Sequence, residues 1–281
     1  RQVIIANNND PDRDDQAGTI KDLDQINRYV VLRKGISKEK KQLPRTLSIS
    51  EKLMQHSLFD KLNQNIYNFC ENILENKKGY EALKSFLNRD IPNIKGIKPG
   101  EKIITSENFD KEIPDIISRL NASYIFLQGP PGTGKTFQSA NAIVELLKKN
   151  KKIAITANSH KVIHNLLERI ENLATKENLV FKGLKKGNAN DVDSFYDGKL
   201  IKTDNNEKHY IDGLKENKIL LYAGTKYHLS SWYYRSKIDY LFIDEAGQIS
   251  LADLIALGGV AKNIILVGDQ LQLGQPTQGS H

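Results

Sequence analysis

The sequence predicts an α/β fold: a parallel sheet with helices on both faces, preceded by a partial small β module and a helical stalk. Three observations predict it. Five short apolar runs, at 124–127, 153–156, 219–222, 240–243 and 264–267, alternate with helix-forming stretches, as strands joined by crossover helices do. Upstream, Leu62, Ile66, Phe69 and Ile73 recur at three- and four-residue steps, as do Tyr80, Leu83 and Leu87, which is the period of an amphipathic helix. Between the first apolar run and a helix-forming run at 137–149 lies a glycine-rich stretch starting at Gly129.

Taken from the N-terminus, residues 1–50 hold two strand-like runs, 3–6 and 29–32, and read as the remnant of a small β-barrel-like module. The cluster Arg33, Lys34, Lys38, Lys40 and Lys41 follows; it reads as a solvated loop, or else as a track for a phosphate backbone. Residues 51–122 form the helical stalk or platform, punctuated by Gly79 and Pro92 and ending in an amphipathic segment near 113–120. Residues 123–281 form the α/β lobe, with a polar surface insertion at about 187–217. Cys70 sits among Tyr67, Phe69, Ile73 and Leu74 and is expected in the core. Trp232, Tyr233 and Tyr234 are likewise expected to pack rather than to offer a base-stacking platform.

Composition bounds the function. Forty-one Lys and Arg against 34 Asp and Glu give a net charge of +7, which suits a polyanionic partner without establishing one. No apolar run nears the roughly 18 to 20 residues that cross a bilayer, so a cytoplasmic protein with no membrane partner is expected. One cysteine excludes an internal disulfide and a cysteine-based zinc cluster. The chain begins at Arg1 and its only methionine is Met54, so a piece of a longer protein is expected.

Gly129, Pro130, Pro131, Gly132, Thr133, Gly134, Lys135 and Thr136 fit G-x-x-x-x-G-K-[ST], placed between a strand and a helix as a phosphate-binding loop requires. Glycines let successive N–H groups converge on a phosphate, and the helix start adds its positive dipole end. Lys135 is expected to neutralise β/γ-phosphate charge of ATP, and Thr136 to offer its hydroxyl to Mg²⁺. Asp244 and Glu245 close the apolar run 240–243. A carboxylate there suits Mg²⁺, with Glu245 as the base or positioner of the attacking water. His160 and His164 have the spacing of a metal pair, but no third ligand is evident and a helix flank is the preferred reading.

The loop alone also fits AAA-type ATPases, so other motifs decide. Asp244-Glu245-Ala246-Gly247-Gln248 resembles the DEAxQ motif, and Gly268-Asp269-Gln270-Leu271-Gln272-Leu273 the G-D-x-x-Q-L motif, of superfamily 1B helicases. An AAA protein is expected to place a polar sensor, usually Asn, near the latter position. The 1B branch contains the nonsense-mediated-decay helicase and bacterial relatives fused to a RecB-like nuclease, and the chain looks most like that bacterial type. Thr156-Ala157-Asn158-Ser159-His160-Lys161 is similar to the family's single-strand-binding motif Ia, and Ala223-Gly224-Thr225 to a further nucleic-acid contact.

This resemblance implies a P-loop NTPase lobe of RecA-like fold. It implies Gln272 as the residue that senses the γ-phosphate, and Ser159, His160, Lys161 and Thr225 as contacts to single-stranded nucleic acid, DNA favoured over RNA. It also implies a second RecA-like lobe in the same full-length chain. Arginine fingers come from that lobe and are worth about 10³ to 10⁵ in rate. Arg169 and Arg235, the only arginines after the loop, occupy no such position. This segment alone is therefore expected to bind MgATP weakly and hydrolyse it poorly. Two other readings stay open: a nucleic-acid-binding module with a structural or regulatory ATP site, and a P-loop ATPase that remodels a protein.

Overall fold

The computed structural model describes residues 2–7, 16–24, 29–33, 47–51, 56–188 and 190–269, with side chains from residue 60 onward. The chain divides into two compact units, Arg1–Phe59 and Asp60–His281. Lys34, Lys38, Lys40, Lys41 and the expected γ-phosphate sensor Gln272 lie outside the described residues.

In the first unit β1 (Gln2–Asn7), β2 (Gln16–Asp24), β3 (Tyr29–Arg33) and β4 (Leu47–Glu51) pair antiparallel in the order β3-β2-β1-β4. β1 is central, with Val3 opposite Gly18 and Ile5 opposite Ile49. Sequence reading found β1 and β3 and missed the other two. β2 opens Gln16-Ala17-Gly18-Thr19, with no apolar run, and carries an irregularity between Ile20 and Asp22; its strand state is imposed by its two neighbours.

The second unit opens inside α1 (His56–Leu74), from Asp60 on, and continues with α2 (Glu81–Asn88) and α3 (Phe109–Ser118). Seven strands follow: β5 (Tyr124–Gln128), β6 (Ile153–Thr156), β7 (Gly183–Lys186), β8 (Ile201–Asp204), β9 (Leu221–Ala223), β10 (Ile238–Ile243) and β11 (Ala261–Gly268). They form one parallel sheet in the order β5-β11-β10-β6-β9-β7-β8. Between them run α4 (Lys135–Lys148), α5 (His160–Lys176), α6 (Glu207–Glu216), α7 (Lys226–Leu229) and α8 (Leu251–Leu257). No described helix is long and apolar enough to cross a membrane.

Each face of the sheet has its own core. On one, Ile116 and Ile117 of α3, Ile143 and Leu147 of α4, and Ile163 and Leu167 of α5 cover Ile155, Phe242 and Ile265. On the other, Leu83 of α2, Tyr210 of α6, and Leu254 and Leu257 of α8 cover Tyr222, Leu241 and Ile264. Central strands buried on both sides must be apolar throughout, which is why β10 and β11 stand out in the sequence. Close approach of α2 needs two glycines: a Cβ on Gly258 would fall 2.4 Å from Leu83 Cδ2, and one on Gly259 would fall 2.6 Å from Tyr80 Cε1.

The structure corrects three expectations. The supposed surface insertion at 187–217 supplies β8 and α6, because Ile201, Tyr210 and Leu214 are buried under an otherwise polar segment. The remaining loop is fastened by Glu171 of α5, whose carboxylate accepts from the backbone N–H groups of Leu200 and Ile201 and from the Tyr196 hydroxyl. Cys70 is exposed: the buried stripe of α1 runs through Leu62, Phe69 and Asn72 and leaves Tyr67, Cys70 and Ile73 outside. Of the three aromatics, Tyr233 and Tyr234 pack in the core while Trp232 is 69% exposed.

His228 sits deep among Tyr210, Tyr233 and Tyr234, and its Nε2 shares a 2.7 Å hydrogen bond with the Tyr234 hydroxyl. Burial, aided by the Lys186 and Lys61 ammonium groups, depresses its imidazole to about 3. A histidine depressed in the fold stabilises it fully above its unfolded value near 6.5, and that contribution is lost as pH falls from there toward 3. Urea unfolding at pH 7.5 and pH 5 should therefore show the wild type losing about 2 kcal/mol more than His228→Gln, which keeps a polar partner for Tyr234 but does not titrate. Equal losses would remove His228 from the acid response.

Candidate functional site

Parallel strands deliver their C-terminal ends to one edge of the sheet, and the sequence motifs collect there. Gly268 pairs with Gln128, and Ile243 with both Leu266 and Thr156. The ladder runs one step past the strands: the Gly129 N–H donates to the Gly268 carbonyl at 3.3 Å, and the Asp244 N–H to that of Thr156 at 2.9 Å. The loop at 129–134, the acidic pair at 244–245 and the turn at 157–159 are thereby held along one edge. Chain connections leaving the adjacent strands β6 and β10 pass to opposite faces, α5 to one and α8 to the other. Crevices for ligands open at such switch points.

The loop has the shape of an anion cradle. Gly132 and Gly134 have φ of +81° and +84°, and a Cβ at either would meet nothing within 4 Å, so their backbone faces open space in a conformation glycine adopts freely. Gly134 starts α4, with Lys135 and Thr136 in its first turn. The Lys135 ammonium donates to the carbonyls of Gly129 and Pro130, and the Thr133 hydroxyl donates to Pro130. These bonds fold the loop over its own lysine. Backbone N–H groups, an ammonium and a helix start together form a donor set suited to a phosphate chain.

Asp244 lies at the end of β10 and is only 9% exposed. Burial raises its pKa, while the bond from the Glu245 N–H to its Oδ1 and the nearby Lys135 ammonium oppose the rise. Glu245 is less buried; its pKa is raised by burial and then by the Asp244 charge. It occupies a left-handed backbone position, φ 52°, which turns the chain sharply off the strand. The side-chain oxygen of Thr156 is buried without a hydrogen-bond partner at the end of β6. Two carboxyl groups beside an ammonium and a first-turn threonine fit a divalent cation held next to a phosphate chain.

The remaining sequence candidates stand on neighbouring loops of the same edge. Ser159 caps α5, its Oγ accepting from the Val162 N–H at 3.3 Å. Lys161 is exposed in the first turn and His160 is partly buried, its pKa lowered by burial and by Lys185. Thr225 precedes α7 and its carbonyl accepts from the N–H groups of His228 and Leu229. His160 and His164 stack at 6.2 Å, and no cluster of three metal-ligating residues occurs among the described residues.

Sequence reasoning did not foresee the contacts made by several polar residues of this edge. Asn158 donates to the Gln248 carbonyl at 2.9 Å, a contact across 90 positions that no local pattern announces. Lys226 pairs with Asp253 at 2.6 Å, both largely buried, and the Ser250 hydroxyl donates to the same carboxylate oxygen. The last of these had a signal, since Ser250-x-x-Asp253 has the spacing of a helix capping box.

Gly134→Ala should cost about 1 kcal/mol, because the new Cβ is unobstructed and only the left-handed backbone is strained. Thermal melting should record a Tm lowered by about 2 to 4 °C. A Tm unchanged within error would mean that the loop relaxes freely.

A family model described as "AAA domain" matches residues 116–281. The chain is 30% identical over 169 residues to the DNA replication ATP-dependent helicase/nuclease DNA2 of Saccharomyces cerevisiae, covering 58% of this chain and 10% of that protein. It is 31% identical over 157 residues to the Schizosaccharomyces pombe protein of the same description, covering 53% and 10%. The chain thus spans about a tenth of the length of these curated relatives. Among solved structures, the arterivirus nonstructural protein 10 helicase with DNA aligns at a TM-score of 0.36 and 17% identity, over 56% of this chain and 31% of that one. The DUF1998 helicase MrfA bound to DNA aligns at 0.38 and 19%, over 52% and 20%. With the matched family model covering more than half of its length, the chain belongs to the AAA domain family, its fold the parallel-sheet lobe described above.

Proposed function

We propose that this lobe binds MgATP and single-stranded nucleic acid, DNA in preference to RNA, and forms half of an ATP-driven translocase. The observation that carries the reading is the shared edge: the loop at 129–134, Asp244 and Glu245 stand beside the Ser159 and Thr225 loops, so two ligands can be sensed by one set of strand ends. Residues 1–50 and 51–122 are proposed as a β-barrel-like module and a helical platform of the same motor, with a second RecA-like lobe in the parent protein closing over ATP.

In this reading the N–H groups from Gly132 to Thr136 bind the β-phosphate, with Gly129, Pro130 and Pro131 shaping the loop around it, and Lys135 exchanges its loop carbonyls for β/γ-phosphate oxygens. Thr136 and Asp244 would hold Mg²⁺, which when bound would offset the negative charge of phosphoryl transfer. Asp244 suits a metal because burial leaves its carboxylate short of compensating charge. Glu245 orients the attacking water and accepts its proton, a role strengthened by its raised pKa. Gln272 is proposed to sense the γ-phosphate through an amide that donates and accepts without adding charge. Ser159, His160, Lys161 and Thr225 contact the strand, the first through the start of α5.

Three measurements on the parent protein test this. Lys135→Ala should abolish ATPase and unwinding; unchanged unwinding would assign the ATP site a structural or regulatory role. Glu245→Gln should keep nucleotide affinity while lowering kcat about 10²- to 10⁴-fold. Single-stranded DNA should stimulate ATPase more than matched RNA. If neither strand changed the rate, the protein-remodelling reading would replace this one. Residues 1–281 alone should hydrolyse ATP poorly, and robust strand-stimulated turnover by them would contradict the need for a second lobe.

A further inference from the structure

Between the acidic pair and α8 runs a short segment, residues 245–253, that is tied at both ends to the loops proposed to hold nucleic acid. At one end the Gln248 N–H donates to the Glu245 carbonyl at 2.9 Å, closing a tight turn directly after Glu245. The carbonyl of the same Gln248 accepts from Asn158 Nδ2 at 2.9 Å, and its side-chain oxygen lies 3.5 Å from that nitrogen. Asn158 immediately precedes Ser159, the cap of α5. At the other end Ser250 caps α8, accepting from the Asp253 N–H at 3.1 Å. The Asp253 carboxylate takes the Lys226 ammonium at 2.6 Å and the Ser250 hydroxyl at 2.7 Å. Lys226 immediately follows Thr225.

The first link lies at the surface, where Asn158 is exposed, and the second is a largely buried ion pair between α7 and α8. Each joins a different strand-facing loop to the same nine residues, and those residues begin with the proposed water-positioning Glu245. A coupling path needs a contiguous physical connection and an element whose position both ligands bias. The turn at 246–248 meets the first requirement: it sits between Glu245 and the Asn158 amide with one hydrogen bond on each side. The end of β11 lies against it, for a Cβ on Gly247 would fall 3.2 Å from the Asp269 carbonyl. Movement of the turn is thereby felt beside the loop at 129–134, whose Gly129 N–H is bonded to Gly268.

We propose that Asn158 and Lys226 are positioning residues that carry strand binding to Glu245: a strand seated on the Ser159 and Thr225 loops fixes the segment 245–253, and with it the glutamate. The proposal rests on the motor reading above and assigns the route of its coupling. It makes no use of direct contact between either residue and ATP or nucleic acid.

The test uses the parent protein with Asn158→Leu, which keeps the volume and removes the donor, and Lys226→Met, which keeps the stem and removes the charge. Basal ATPase, strand-stimulated ATPase, strand affinity without nucleotide, and affinity for a non-hydrolysable ATP analogue with and without saturating oligonucleotide are measured. Coupling between sites is reciprocal in binding and commonly amounts to about fivefold or more. Each variant should keep basal kcat and nucleotide-free strand affinity within about twofold, lose most of the stimulation, and flatten the strand's effect on analogue affinity. Restoring a donor with Asn158→His should recover part of the stimulation. Equal stimulation of Asn158→Leu and wild type would overturn the proposal while leaving the motor reading intact. Parallel loss of basal activity or strand affinity would also overturn it, by showing a structural role. A wild type that no strand stimulates would remove the motor reading itself.

Discussion

Parallel pairing of β5, β11, β10 and β6 is the constraint on which the site depends. Parallel neighbours need long crossovers, and the crossovers here return the chain to the same end, so that the loops of unrelated sequence leaving β5, β6 and β10 emerge along one edge. Two hydrogen bonds extend the ladder beyond the strands, Gly129 to Gly268 and Asp244 to Thr156. Those bonds set the height of the glycine-rich loop against the acidic pair. Without them a P-loop and two carboxyl groups would share a sequence but not a site.

Electrostatics completes what the pairing begins. Asp244 is buried where a carboxylate is disfavoured, and it is held by one backbone N–H and by proximity to Lys135. Lys135 is in turn turned onto the loop carbonyls. Charges of both signs thus wait at the strand ends with weak partners, which suits groups meant to exchange those partners for a polyanion and its cation. The positive φ at Glu245 is part of the same design, because it sends the chain away from the sheet immediately after the second carboxylate and frees residues 246–253 to reach the neighbouring loops.

Packing on the second face explains why the stretch between β9 and β10 is aromatic. Tyr210, Tyr233 and Tyr234 surround His228 and meet its ring edge to face, and Tyr222 packs edge to face on Tyr234. A polar histidine is tolerated there because Tyr234 satisfies one of its nitrogens. The cluster roots α7, so the Lys226 ammonium that follows Thr225 is presented from a rigid base. In the turn at 232–234, Tyr233 and Tyr234 face inward and Trp232 stays outside.

Strands buried on both faces, the glycine-rich loop and the acidic pair were legible because each is dictated locally: by continuous apolar character, by backbone conformations glycine favours, and by a carboxylate at a strand end. Ser159 as a helix cap was legible for the same reason. β7 and β8 were not, since Lys185, Lys186, Lys202 and Asp204 hide strands that their neighbours impose. Nor was the exposure of Cys70, which follows from the rotation of α1 against the lobe. Asn158 and Gln248 are 90 residues apart, Lys226 and Asp253 are 27 apart, and nothing in either segment names its partner. By itself the sequence determined which chemically active residues the lobe carries; only the tertiary structure decided which loops bring them together, because contact between distant residues is a property of the folded sheet and not of any stretch of chain.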